Sequence, residues 1–215
     1  MDIVKNFKLI KKTITDNVQI IAVSKTKSKN EILKIYNIGH KNFGENKIQE
    51  LKEKYNQLPK DIKWHMIGHV QRNKVKYIAP FIELIHSVDS LKLMLEINKQ
   101  GEKNKRIIKC LLQIKIANEE NKFGLFKDEV ENLISLSNNL NYIKIIGLMG
   151  MATYTNNDKI IDREFKEIYN LFKILKISYK QLSILSIGMS NDYLIAINNG
   201  SNMVRIGSQI FGERN

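Results

Sequence analysis

The stretch Val18-Gln19-Ile20-Ile21-Ala22-Val23-Ser24-Lys25-Thr26 decides how the rest of this chain is read. Residues 18–23 follow the turn-forming pair Asp16-Asn17, are rich in β-branched side chains and lack helical spacing, so they read as a buried strand. A strand apolar on both faces belongs in a parallel sheet covered on both sides, and parallel strands need crossover connections, usually helices. On its N-terminal side, Ile3, Phe7, Ile10 and Ile14 recur at spacings of four, three and four. That is one apolar helix face, expected to pack residues 1–16 onto the main body as an extra N-terminal helix. On its C-terminal side, residues 30–38 return to helical spacing, with Asn30 as the expected N-cap and Ile32, Leu33, Ile35 and Tyr36 facing inward.

The alternation continues to the end of the chain. Strands are expected near 42–44 and at 63–67, 81–88, 107–116, 143–149, 183–187 and 203–206. Helices are expected between them at 47–56, 71–78, 90–99, 127–140, 158–175 and 191–198, with a short one from Ser208. Eight β/α units in about 200 residues fit a compact (β/α)8 (TIM) barrel. The rival is an open doubly wound sheet, but no GxGxxG follows the first strand. No Pro/Gly/Ser-rich linker divides the chain, so residues 1–215 are expected to form a single domain.

Composition narrows the class. Of 215 residues 43% are hydrophobic and 27% charged, an ordinary globular balance. The single cysteine, Cys110, excludes a disulfide framework and suits a reducing compartment. No apolar run reaches the roughly 18 residues of a membrane span, and the start Met-Asp-Ile-Val-Lys leads into no signal-like apolar segment. The cytoplasm is the expected location. The net charge of +13 raises affinity for polyanions, yet 30 of the 35 basic residues are lysines scattered among 22 acids. A nucleic-acid surface concentrates Arg and aromatic residues, so no specific nucleic-acid partner is expected. His40, His65, His69 and His86 show no metal-ligand spacing, and no metal site is expected.

In a barrel the chemistry gathers where strands end and βα loops begin. Lys25 follows the first strand, where its side chain is either one more solvated lysine or an amine in the barrel mouth. In the mouth, desolvation would lower its proton affinity and fit it for a Schiff base with a carbonyl compound. Strand seven runs into Ser186-Ile187-Gly188-Met189-Ser190 and strand eight into Arg205-Ile206-Gly207-Ser208. Glycine lets the backbone approach a ligand, and helix-start amides and hydroxyls donate to anionic oxygens. A lysine for a carbonyl opposite a phosphate cradle describes a site for pyridoxal 5′-phosphate. Arg205 is either a surface ion-pair partner or lies inside the mouth. If it faces the pyridine nitrogen it keeps that atom unprotonated, since guanidinium does not give up its proton. Asn46, in Phe43-Gly44-Glu45-Asn46, is a candidate partner for the phenolic oxygen. His65 and His69 are either general bases or structural, the structural role being the commoner. Residues 118–124 and 149–152 read as rim loops.

The motifs form a series that resembles a known family. Ala-Val-Ser-Lys-Thr-Lys (22–27), Phe-Gly-Glu-Asn (43–46) with Gln49-Glu50, and Trp-His-Met-Ile-Gly (64–68) with Gln71 and Asn73-Lys74 make up its first half. Gly-Leu-Met-Gly-Met-Ala (147–152), Ser-Ile-Gly-Met-Ser (186–190), Met-Val-Arg-Ile-Gly (203–207) and Ile-Phe-Gly-Glu-Arg (210–214) make up the second. Their order and span are similar to those of the YggS/PROSC-type pyridoxal phosphate homeostasis proteins. The resemblance implies an alanine-racemase-like barrel of fold type III, without that enzyme's second, β-rich domain. It implies pyridoxal phosphate on Lys25 as a Schiff base, Asn46 near the ring, Arg205 at the ring nitrogen, and Met189, Ser190, Gly207 and Ser208 around the phosphate. The departures are small: His69 replaces a proline of some members, Arg72 a serine of many, and Ser208 a common threonine. Serine keeps the hydroxyl.

The implied role is homeostatic: reversible holding of a reactive aldehyde, with apo-enzymes that use the cofactor as candidate recipients and no strong catalytic activity. The competing readings are an amino-acid racemase, a Schiff-base aldolase for a phosphorylated sugar, and a basic nucleic-acid binder. Racemisation needs a second base on the opposite face, which the two-domain racemases complete with a partner subunit and the extra domain. With eight residues after Gly207, that domain is not expected here. A monomer is therefore expected.

Overall fold

Eight parallel strands close into a barrel in chain order in the computed structural model, which describes residues 2–117 and 123–213. Helix α1 (Ile3–Thr13) precedes β1 (Gln19–Val23), α2 (Lys29–Tyr36), β2 (Asn42–Glu45), α3 (Ile48–Gln57) and β3 (Lys63–Met66). A 3-10 helix (Arg72–Tyr77) leads to β4 (Leu84–Val88), α4 (Leu91–Lys103), β5 (Ile108–Ile114) and α5 (Lys127–Ser137). Then come β6 (Ile143–Gly150), α6 (Asp158–Ser178), β7 (Ile184–Met189), α7 (Tyr193–Asn198), β8 (Met203–Ile206) and α8 (Ser208–Phe211). Closure is made by β1 against β8, with Gln19 opposite Met203 and Ala22 opposite Ile206. That pairing excludes the open sheet.

Three local expectations are corrected. The cap of α2 is Ser28, not Asn30: Ser28 accepts from the Glu31 amide while Glu31 accepts from the Ser28 amide. This reciprocal pair satisfies two otherwise orphaned donors, more than a lone Asn two residues later can do. The basic segment 71–78 forms a 3-10 helix rather than an α-helix. Val75 is the one buried side chain within Arg72–Tyr77, and Gln71 supplies no side-chain cap, so little packing holds a regular α-helix there. The fourth strand starts at Leu84 rather than 81, because the amides of Phe81 and Ile82 both donate to the Ile78 carbonyl in a turn.

Strand alternation sorts the side chains into two apolar layers. Ile21, Leu84, Leu111, Met149 and Met203 meet inside the barrel. Ala22, Phe43, Ile85, Leu112, Leu148 and Val204 point outward and are buried under the helices. Helix α1 contributes Ile3, Phe7 and Ile10 to the outer layer, each burial of this kind being worth about 2 kcal/mol. It packs on α8 and α2, and Asn6 donates to the Ile210 carbonyl at 3.3 Å. The N-terminal helix thus braces the segment that follows β8. Among the described residues no helix is long and apolar enough to cross a membrane.

Candidate functional site

Lys25, Asn46, Met189, Ser190, Arg205, Gly207 and Ser208 all line one cavity of about 610 Å3 at the C-terminal ends of the strands. Alternation accounts for their convergence. The inward positions of β1 run Ile21, Val23 and then Lys25; those of β8 run Met203, Arg205 and then Gly207. On β2 the same count runs from Gly44, which abuts Ile21, to Asn46. The opposite wall comes from the loop after β6, with Met151, Thr153 and Tyr154. Glu164 of α6 holds that loop by accepting from the Thr153 amide and hydroxyl, both at 2.7 Å.

Arg205 is buried inside the mouth, not paired at the surface. Its Nη1 donates to the Ser186 carbonyl at 2.6 Å and the Ser186 hydroxyl at 2.7 Å, and its Nη2 donates to the Gly150 carbonyl at 2.9 Å. Burial lowers its pKa to about 10, opposed by the negative charge of Asp192. It therefore stays a cation at neutral pH. Behind it, the His86 Nδ1 lies 3.1 Å from the Ser186 hydroxyl, the His86 Nε2 lies 3.0 Å from the His65 Nδ1, and the His65 Nε2 lies 3.4 Å from the Asn42 Oδ1. The Asn42 Oδ1 can only accept, so it sets the direction of the line of rings, and Arg205, which can only donate, fits the Ser186 end. Ser186 accepts from Arg205 and donates to His86, His86 donates from Nε2 to His65, and His65 donates from Nε2 to Asn42. Both rings are neutral in this arrangement. Burial pushes His65 down to about 3 and His86 well below the ordinary histidine value, helped by the Arg205 charge. His65 thus takes its structural alternative. His69 sits on the rim, 3.1 Å from Asp89 and stacked on Phe123.

The two glycine–hydroxyl segments are tied together. Gly207 donates its amide to the Ser190 hydroxyl at 3.2 Å, and Gln209 donates its side-chain amide to the Ser190 carbonyl at 2.7 Å. Gly188 has φ +93°, and a Cβ there would stand 2.5 Å from the Ala196 methyl, so the turn into Ser190 requires glycine. Asp192 accepts from the Met189 amide at 2.5 Å; burial raises its pKa against that hydrogen bond and the Arg205 charge.

Sequence reasoning missed a second buried cluster, directly behind Lys25. Lys54 of α3 donates to the Ser24 carbonyl (2.7 Å), Glu45 Oε1 (2.8 Å) and Glu50 Oε1 (2.7 Å). Ser24 donates its hydroxyl to the same Glu45 oxygen at 2.6 Å, while Glu45 Oε2 has no partner among the described residues. Burial pushes the Glu45 carboxyl up to about 7, against the pull of Lys54 and Ser24. The available signal was the outward position of Glu45 on β2, a carboxylate pointed into the apolar layer under α3. The rim loop expected at 118–124 lies outside the described residues at 118–122.

The geometry can now be set beside known proteins. A family model described as the alanine racemase N-terminal domain matches residues 2–215. The pyridoxal phosphate homeostasis protein of Aquifex aeolicus is 37% identical over 91% of this chain and 87% of its own length. That of Helicobacter pylori strain 26695 is 40% identical over 91% of this chain and 88% of its own. The chain belongs to this family. PipY of Synechococcus elongatus superposes with TM-score 0.92 and 30% identity without PLP, covering 98% of this chain and 100% of PipY. With PLP bound, PipY gives TM-score 0.90 at 29% identity with the same coverage. An alanine racemase of Clostridium difficile shares the fold at TM-score 0.84 and 15% identity, over 99% of this chain and 57% of the racemase. This chain thus has the closed alanine-racemase-like barrel, with an extra N-terminal helix.

Proposed function

We propose that the chain binds pyridoxal 5′-phosphate covalently on Lys25 and serves in the homeostasis of that cofactor rather than as a strong catalyst. One observation carries the reading: Lys25, Arg205 and the joined Met189–Ser190 and Gly207–Ser208 turns line the same cavity. Their chemistry fits the group, which needs an amine for its aldehyde, donors for a dianionic phosphate and a polar contact at the ring. When bound, the group supplies an electrophilic aldehyde, which with the Lys25 ammonium gives a protonated C=N link and one water.

Each residue then has a definite task. Lys25 holds the aldehyde carbon. The hydroxyls of Ser190 and Ser208 donate to the phosphate beside Met189 and Gly207, and the Gly207 amide, donating to the Ser190 oxygen, leaves that hydroxyl proton for the ligand. Asn46 contacts the ring at its phenolic oxygen. Arg205 presents donors alone, so it offers the ring nitrogen no proton acceptor partner and keeps that nitrogen neutral. A ring kept so is a weak electron sink, which suits storage better than turnover. Apo-enzymes that require the cofactor are the proposed recipients, with the cytoplasm as the place of exchange.

Borohydride reduction of the protein mixed with pyridoxal 5′-phosphate tests the reading. The expected result is a covalent adduct on the peptide carrying Lys25, and loss of the visible chromophore in Lys25→Ala. A chromophore that survives that substitution unchanged would overturn the assignment. Assay of D-amino acid formation from L-substrates separates the carrier from a racemase.

A further inference from the structure

The buried cluster behind the cavity is built around the main chain of Lys25. Its three donor hydrogens give Lys54 three acceptors, and one of these is the carbonyl of Ser24, immediately before Lys25. Another, Glu50 Oε1, also accepts from the amide of Thr26, immediately after Lys25, at 2.6 Å. The peptide groups on both sides of Lys25 therefore end in the same ammonium–carboxylate cluster. Thr26 lies at φ +65°, a conformation that costs a β-branched residue about 1–3 kcal/mol and persists only when its surroundings hold it. The Lys27 amide closes the turn on the Ser24 carbonyl at 3.0 Å.

The cluster is also costly. Lys54 and Glu45 are almost wholly buried, and taking such charges out of water is repaid only by excellent geometry. Yet Glu45, Glu50 and Lys54 do not line the cavity. They are close to the site without facing a ligand, and their hydrogen bonds go to each other and to the flanks of one lysine. An arrangement of this kind fixes where the Lys25 side chain enters the cavity.

We infer that Lys54, with Glu45 and Glu50, is the positioning element of Lys25, governing covalent capture of the aldehyde and not the grip on ring or phosphate. The inference rests on Lys25 as the anchor. It separates two ligands: pyridoxal 5′-phosphate, which can link to the amine, and pyridoxine 5′-phosphate, whose alcohol cannot. Misplacing a reacting group by about 1 Å costs on the order of a hundredfold, so a loss of roughly tenfold to a hundredfold is expected when the clamp is removed.

The test titrates the full-length chain and its Lys54→Met variant with each ligand. The expected result is a rise in Kd of that size for the aldehyde with the alcohol's Kd within about threefold of wild type. Glu50→Gln, at a half-buried position, keeps the side chain's shape and should show a smaller change of the same selectivity; it carries the test if Lys54→Met does not fold. Equal losses for both ligands would make the cluster merely structural and overturn the inference, as would no loss for either. Failure of the wild-type chain to form a reducible adduct at Lys25 would instead defeat the proposed function, and the two failures are read in separate measurements.

Discussion

Acidification from pH 7 to pH 5 should weaken this fold, and the buried histidines set the amount. Burial holds His40 at about 4 and His65 at about 3, and His86 well below its ordinary value. In the unfolded chain all three take up protons near pH 6.5. A group whose folded pKa is depressed supports the fold above its unfolded value, and that support is lost as pH falls. Between pH 7 and pH 5, His40 and His65 each cost about 2 kcal/mol, and His86 adds a loss of the same sign. Glu45 acts in the opposite direction. Its pKa is raised to about 7 in the fold, so its contribution is fully present below the unfolded value of 4.5 and lost as pH rises through 7. Acidification to pH 5 therefore returns about 2 kcal/mol at Glu45. Asp192, whose pKa burial also raises, adds a gain of the Glu45 sign, and the balance is a net loss of about 2 kcal/mol, a large share of the 5–15 kcal/mol typical of a domain. Trp64, the only tryptophan, is fully buried and reports unfolding. Urea titrations followed by its fluorescence at pH 7, 6 and 5 measure the change. In Glu45→Gln the compensating gain disappears, so the same acidification should cost about 2 kcal/mol more. Equal or greater wild-type stability at pH 5 would refute the reasoning.

Further expectations follow from single contacts. At Gly147 a Cβ would stand 1.8 Å from the Ile184 carbonyl oxygen, so Gly147→Ala must force β6 from β7; a loss of about 3 kcal/mol is expected in urea midpoints. Trp64→Phe should cost only about 1 kcal/mol, because the indole N–H it removes has no partner among the described residues; thermal melts would show it. Nitrogen-resolved NMR of the ring protons should find His65 and His86 as neutral Nε2–H tautomers at pH 7, and the opposite tautomer at His86 would break the donor line that ends on Asn42. Arg205→Gln should shift the absorbance of the cofactor-loaded protein, whereas an unchanged spectrum would mean that Arg205 does not reach the ring.

Much of the site is legible in the sequence because a strand has a period of two. Once residues 18–23 read as a strand, Lys25 fell on the face of Ile21 and Val23, and Arg205 shared the face of Met203. The capping of α2 was less legible because Ser28 and Asn30 are both good cap residues, and only the reciprocal bonds of Glu31 choose between them. The 3-10 turn at Arg72–Tyr77 was not legible, since a basic, helix-favouring composition says nothing about how little of it would be buried.

By itself the sequence determined the order of strands and helices, and the lysine and glycine–hydroxyl turns at the strand ends. Those properties are local, written in side-chain spacing and turn chemistry. Tertiary structure alone decided partnership. Asn42, His65, His86, Ser186 and Arg205 come from five different strands, and they form one line only because β8 returns to β1. Lys54 looks like any other helix-borne lysine until α3 folds over β2 and β3 and buries it against Ser24, Glu45 and Glu50. Periodicity tells which way a side chain points; closure of the barrel tells what it meets there.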